Sequence, residues 1–189
     1  MFFKTGAGKS LTAIMGLHAL GHKKAVIITP PSTYQQWVDL AVQYGIQVDV
    51  MSHAKFRQAG TKLSRTTAVI ADEFHLLGGH TGKGWKKLDT LAKHLQAPLF
   101  IMSATPNYND AERCYCVQHV IDPLSCRGGY LQFLYQHCIT EQNPFGATPN
   151  VRGFLKHPDA ISYLVSLPRV HYVADDLVYD IEDIEYDVH

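Results

Sequence analysis

The chain has no excess charge of either sign. Seventeen Lys and Arg balance seventeen Asp and Glu. No global field therefore draws it to nucleic acid or to an acidic membrane, and any contact with DNA has to come from a local patch. It also lacks an apolar run long enough to cross a bilayer. Its first residues are broken by Lys4, Lys9 and glycines, unlike the apolar core of a signal peptide. No membrane partner is expected, and the expected compartment is the cytoplasm, that of the host if the chain is viral. There is no Cys-x-x-Cys pair. Cysteines stand at 114, 116, 126 and 138, and on a helix Cys114 and Cys116 point to nearly opposite sides. His119 and His137 complete a zinc set on paper, but structural zinc sites bring their ligands in tight pairs. Reduced, buried thiols are the expectation. No repeat or low-complexity tract stands out.

What remains is 189 residues at 46% hydrophobic, enough for one domain with a sizeable core. Residues 1–3 read as a stub of strand. Residues 9–20 read as a helix with Leu11, Ile14, Met15 and Leu17 or His18 inward. The run 25–29 is continuously apolar up to Thr29, the mark of a strand covered on both faces, and Pro30-Pro31 stops it. Ser32 is the expected cap of a helix through Gln43 that buries Trp37, Leu40 and Ala41. Strands follow at 48–51, 68–71 and 99–102, with a helix over 85–95. Beyond Pro106 the pattern predicts helices at 109–121, 129–138 and 159–166, a loop over 140–153, and strands at 169–173 and 184–188. Alternating strands and helices predict an α/β fold, a parallel sheet with helices on both faces.

Ligands in such sheets collect past the carboxyl ends of strands, and three polar clusters lie there. Thr5-Gly6-Ala7-Gly8-Lys9-Ser10 opens a helix in the manner of a phosphate-binding loop (Walker A), with Phe3 where the strict pattern has glycine. Backbone N–H groups and the helix N-terminus would face phosphate. Lys9 would reach the β- and γ-phosphates and Ser10 would ligate Mg²⁺. Asp72-Glu73-Phe74-His75 follows a buried strand. There Asp72 would hold Mg²⁺ and Glu73 would orient and deprotonate a water. Ser103-Ala104-Thr105 ends the next strand.

In that order the blocks resemble the first RecA-like lobe of superfamily 2 helicases and translocases, in particular the Swi/Snf-like DNA translocases. Gly6-Ala7-Gly8-Lys9-Ser10 is similar to motif I, Asp72-Glu73-Phe74-His75 to a DEAH-type motif II, and Ser103-Ala104-Thr105-Pro106 to motif III. Residues 27–32 followed by Gln36-Trp37 are similar to motif Ia. Val120-Ile121-Asp122-Pro123 with Phe133, and Ser166-Leu167-Pro168, resemble the segments that follow. The resemblance implies a single RecA-like P-loop lobe over 1–189, with a motif-bearing core at 1–106 and an extension at 107–189. It implies ATP and Mg²⁺ as cofactors, with Lys9, Asp72 and Glu73 as the catalytic set. It implies that His75, Ser103 and Thr105 couple nucleotide state to movement, and that DNA, more readily duplex than single-stranded, is the partner. Pro30, Pro31 and Ser32, and the stretch Ser52-His53, lie where such proteins touch the DNA backbone. A strand stop and a simple turn are the plainer readings of those two stretches. The Lys83, Lys86, Lys87 stretch is either a basic contact loop or a solvated helix start.

The resemblance further implies a second RecA-like lobe, expected on a separate polypeptide. That lobe would bring an arginine finger, typically worth ~10³–10⁵ in rate. None of Arg57, Arg65, Arg113, Arg127, Arg152 and Arg169 lies in a finger motif. The family also has a full strand and helix before motif I, with a Gln that reads adenine in some members, where this chain has Met1-Phe2-Phe3. A phage source fits a small lobe. The alternatives are a fragment of a viral DNA-packaging ATPase and a nucleotide- or DNA-binding regulator that does not hydrolyse.

Overall fold

Four short apolar runs build the centre of the protein. The computed structural model describes residues 2–3, 8–58, 60, 63–103, 111–168 and 172–173. In chain order the elements are β1 (Phe2–Phe3), α1 (Lys9–Ala19), β2 (Lys24–Ile28), α2 (Tyr34–Gln43), β3 (Gln47–Met51), α3 (His53–Arg57), β4 (Ala68–Ala71), α4 (Lys83–His94) and β5 (Leu99–Ile101). They continue as α5 (Ala111–Ile121), α6 (Gly129–His137), β6 (Cys138–Glu141), β7 (Asn150–Phe154), α7 (Ala160–Ser166) and β8 (Tyr172–Val173).

Strands β2 to β5 form one parallel sheet in the order β3-β2-β4-β5. The alternation of side chains along a strand splits its residues between two cores. Ala25 and Ile27 of β2, with Ala68 and Ile70 of β4, face Ala13, Ile14 and Leu17 of α1 and Trp37 and Ala41 of α2. Val26, Ile28, Val69 and Ala71 face the other way, onto Phe56, Phe74, Leu77, Trp85 and Leu88 and the helices beyond. Strand β3 is half-covered, with Gln47 and Asp49 outward, as fits an edge. The architecture is α/β, a parallel sheet with helices on both faces, as in a RecA-like lobe.

Several expectations need correction. On α1 it is Ala13, Ile14 and Leu17 that are buried, while Leu11 and Met15 are 40% and 49% exposed and His18 is exposed. Ser32 caps nothing: Pro31–Thr33 is a 3₁₀ turn, and α2 starts after Thr33 without a side-chain cap. Ser52 does not sit in a simple turn; its hydroxyl accepts from the Lys55 N–H and caps α3. The expected loop over 140–153 runs into both strands of an antiparallel hairpin, β6 with β7, and only the stretch between Glu141 and Asn150 is its tip. Strand β1 pairs in parallel with β8 in a two-stranded sheet of its own. All four cysteines are buried and none is in a disulfide. The strand expected at 184–188 lies outside the described residues. No helix among the described residues is long and apolar enough to cross a membrane.

Candidate functional site

The carboxyl ends of β2, β4 and β5 and the N-terminus of α1 meet at one cleft. Gly8 precedes α1 with φ 76°, a left-handed conformation that glycine adopts without cost. Its carbonyl accepts from the Thr12 N–H at 2.9 Å and the Thr12 hydroxyl at 3.0 Å. Lys9 and Ser10 are then the first residues of the helix, where backbone N–H groups have no partner within the helix. The first turn carries no acidic residue, so the positive end of the helix is not offset by its own chain.

Strand β4 delivers Asp72 and Glu73. The ladder continues past its end: the Asp72 N–H donates to Ile28 O at 2.9 Å and the Phe74 N–H to Met102 O at 3.0 Å. Asp72 is buried and fully engaged on one side. Its Oδ2 accepts from the Thr29 hydroxyl at 3.0 Å and from Trp37 Nε1 at 3.4 Å. Its Oδ1 accepts from the Glu73 N–H at 3.0 Å. Its backbone carbonyl accepts from His53 Nε2 at 2.8 Å. A carbonyl only accepts, so Nε2 carries the proton of that imidazole. Burial pushes the Asp72 carboxyl above its usual range, and the Thr29 bond is the largest opposing influence, followed in that direction by Lys9 and Trp37.

Glu73 is the one non-glycine residue with positive φ among the described residues, at φ 44° and ψ 50°. Its carboxylate is tied into a network. Oε1 lies 3.9 Å from Lys9 Nζ, and Oε2 accepts from the buried Ser103 hydroxyl at 3.2 Å. His75 Nδ1 is 3.1 Å from the Ser103 hydroxyl and 3.3 Å from Glu73 Oε2. Burial lowers the His75 pKa, against the pull of Glu73. Lys9, Glu73, Ser103 and His75, from three separate segments of the chain, are therefore joined in one contact network. The cleft, of about 890 Å³, is lined by Gly8, Lys9, Ser10, Asp72 and Glu73 at one end and runs on between α1 and α2. Ser10 and Asp72 bring it a hydroxyl and a carboxylate, hard oxygen donors suited to a small divalent cation.

Other sequence candidates separate. Thr5, Gly6, Ala7 and Thr105 lie outside the described residues. Pro31 and Ser32 are exposed beside the cleft. His53 is buried against Asp72, so its side chain has no free face for a DNA backbone. Lys83 opens α4 and Lys86 is exposed on it. Lys87 instead donates to Gln58 O at 2.7 Å and lies over the Phe56 ring. The sequence reading did not connect Thr29, Trp37 and His53 to Asp72. A buried indole needs a partner for its N–H, and a Thr ending a fully buried strand needs one for its hydroxyl; those needs were the available signal.

No family model and no curated protein matches the chain. Among solved structures it is similar to the Sulfolobus solfataricus SWI2/SNF2 ATPase core in complex with dsDNA, with a TM-score of 0.56 and 14% sequence identity. The match covers 72% of this chain and 33% of that one, so the chain spans about a third of its neighbour. At that identity the likeness is one of fold, a RecA-like lobe.

Proposed function

We propose that this chain is the ATP-binding lobe of a DNA-dependent ATPase, a helicase or translocase that turns over fully with a second RecA-like lobe. The observation that carries the reading is the contact network of Lys9, Glu73, Ser103 and His75 beside Asp72, at the end of the sheet where a helix N-terminus opens onto the cleft. The fold likeness to a SWI2/SNF2 core supports it, and the dsDNA in that neighbour's complex is the reason to favour duplex DNA as partner.

In this reading Gly8 and the first N–H groups of α1 receive phosphate oxygens, together with Thr5, Gly6 and Ala7. Lys9 holds the β- and γ-phosphates. Ser10 and Asp72 would hold Mg²⁺, and both are hard donors that fit it. Bound there, the ion would neutralise charge developing on the phosphates. Glu73 orients the attacking water and takes its proton. Lys9 and Ser103 both contact Glu73. A triphosphate is a stronger partner for Lys9 than a carboxylate 3.9 Å away and would draw it from Glu73. Ser103 and His75, both within 3.3 Å of Oε2, then register the change and, with Thr105, couple it to movement of the lobe. The exposed Pro31 and Ser32, with the half-buried Pro30 before them, supply a turn for the DNA backbone.

The test is ATP hydrolysis with and without duplex DNA, alone and with a candidate second lobe, using Lys9→Ala as control. Stimulation by duplex that disappears in Lys9→Ala supports the reading. Tight ATP binding with no turnover under any of these conditions overturns it in favour of a regulator.

A further inference from the structure

Asp72 carries more information than its identity, because its lone pairs can be accounted for one by one. A carboxylate offers about four acceptor positions, two on each oxygen. Both positions on Oδ2 are filled, by the Thr29 hydroxyl and Trp37 Nε1. One position on Oδ1 is filled by the Glu73 N–H. Thr29 and Trp37 are fully buried, at 0% and 1% exposure, so water does not compete for these bonds. The Thr29 proton also has a fixed direction. Thr33 Oγ1 lies 2.7 Å from Thr29 Oγ1, and a hydroxyl has a single proton. An ionised carboxylate only accepts, so the Thr29 hydroxyl is the donor to Asp72, while the single proton of Thr33 is shared between Thr29 Oγ1 and Pro30 O, 2.9 Å away.

We infer that Thr29 and Trp37 are positioning residues that hold the Asp72 carboxylate so that it presents a single lone pair, on Oδ1, to a divalent cation. Asp72 is thereby a one-oxygen ligand of set direction rather than a bidentate clamp. That suits a small ion with strict octahedral demands that keeps several waters. The inference rests on the proposed reading of Asp72 as a cation ligand. Outer partners of this kind typically change metal affinity about 10–100-fold when removed.

The experiment is binding of Mn²⁺ in the presence of ATP, followed by the electron paramagnetic resonance signal of free Mn²⁺. ATP binding in EDTA and the melting temperature are measured beside it. Thr29→Val keeps the shape and removes the hydroxyl; Thr29→Ser restores it; Trp37→Phe removes the N–H together with part of the buried ring, so it is read against its own melting temperature. Thr29→Val is expected to weaken Mn²⁺ about 10–100-fold with ATP binding in EDTA unchanged. Thr29→Ser should stay close to the wild type, and Trp37→Phe, losing the longer bond, should fall between. Asp72→Asn separates the two layers of argument. If Asp72→Asn leaves Mn²⁺ affinity intact, the cation reading itself fails. If Asp72→Asn weakens Mn²⁺ but Thr29→Val and Trp37→Phe do not, the positioning inference alone is overturned. It is also overturned if Thr29→Ser is as weak as Thr29→Val. Should Thr29→Val not fold, Trp37→Phe against Asp72→Asn decides.

Discussion

Replacing His53 by leucine tests how the peptide ahead of Glu73 is held. His53 is the first residue of α3, buried, with Nε2 2.8 Å from the Asp72 carbonyl. Leucine keeps the apolar bulk but leaves that carbonyl with no donor. An orphaned buried acceptor costs about 1–3 kcal/mol. With a urea m-value of about 2 kcal/mol/M, a loss of ~2 kcal/mol lowers the unfolding midpoint by ~1 M. His53→Gln carries an N–H that reaches the same carbonyl and should recover much of the loss. The pH dependence gives a second reading. Burial holds the His53 pKa below the ordinary 6.5, so the folded state binds its proton later than the unfolded chain on acidification. Its contribution to stability is therefore complete above pH 6.5 and is lost as pH falls from there through the folded pKa. His53→Leu should flatten that part of the stability-against-pH curve. Urea titrations at neutral pH and stepwise below it make both measurements. Equal destabilisation by Leu and Gln would refute the argument, since the carbonyl bond would then contribute nothing beyond packing.

Gly84→Ala sets helix propensity against packing. Alanine in a helix gains about 1 kcal/mol over glycine, but overpacking costs about 1–3 kcal/mol. A Cβ here would sit 2.6 Å from Leu77 O and 3.2 Å from Leu77 Cα, both backbone. The expected outcome is a lower melting temperature, and a rise would contradict the packing. His137 has its pKa lowered by burial first and then by His157 and Lys156. Its share of stability is likewise complete above pH 6.5 and falls below it, so His137→Gln should show a shallower loss on acidification than the wild type. Saturating ATP should raise the melting temperature of the wild type but not of Lys9→Ala, as binding to the folded state requires. An equal rise in both would remove Lys9 from the site.

How far the sequence could be read depended on how local each signal was. The strands at Ala25–Ile28 and Ala68–Ala71 were legible because burial on both faces leaves an uninterrupted apolar run. The inner side of α1 was only partly legible: Ile14 and Leu17 belong to both the expected stripe (11, 14, 15 and 17 or 18) and the buried one (13, 14, 17), while the larger exposed Leu11 and Met15 outweigh Ala13 in any hydrophobic pattern. The β6–β7 hairpin was missed since its strands alternate weakly and carry a register shift between Ile139 and Thr140. Helix α3 has five residues, too few for a period to show. At the site, Lys9, Asp72, Glu73, His75 and Ser103 were legible as motif residues. Their holders were not, because Thr29 and His53 reach Asp72 across 43 and 19 residues of sequence, a proximity that only the sheet order creates.

The left-handed backbone at Glu73 follows from the same geometry. Along a regular strand successive side chains point to opposite faces, so a straight continuation of β4 would send Asp72 and Glu73 to different sides of the sheet. Both instead line the one cleft that Lys9 and Ser10 line. The turn to φ 44° breaks the alternation at that residue. A left-handed conformation costs a non-glycine residue roughly 1–2 kcal/mol, and it persists where the surroundings over-determine it. Here they do. The Asp72 N–H is fixed on Ile28 O and the Phe74 N–H on Met102 O, one on each neighbouring strand segment. The peptide between Asp72 and Glu73 is held at both ends, its carbonyl by His53 and its N–H by Asp72 Oδ1. Four bonds thus pin the backbone on either side of one strained residue. The Asp72 side chain that supplies one of them is itself fixed by Thr29 and Trp37. The bonds that orient the carboxylate and the bonds that sustain the turn therefore form one connected set, and loosening Asp72 also loosens the backbone that aims Glu73.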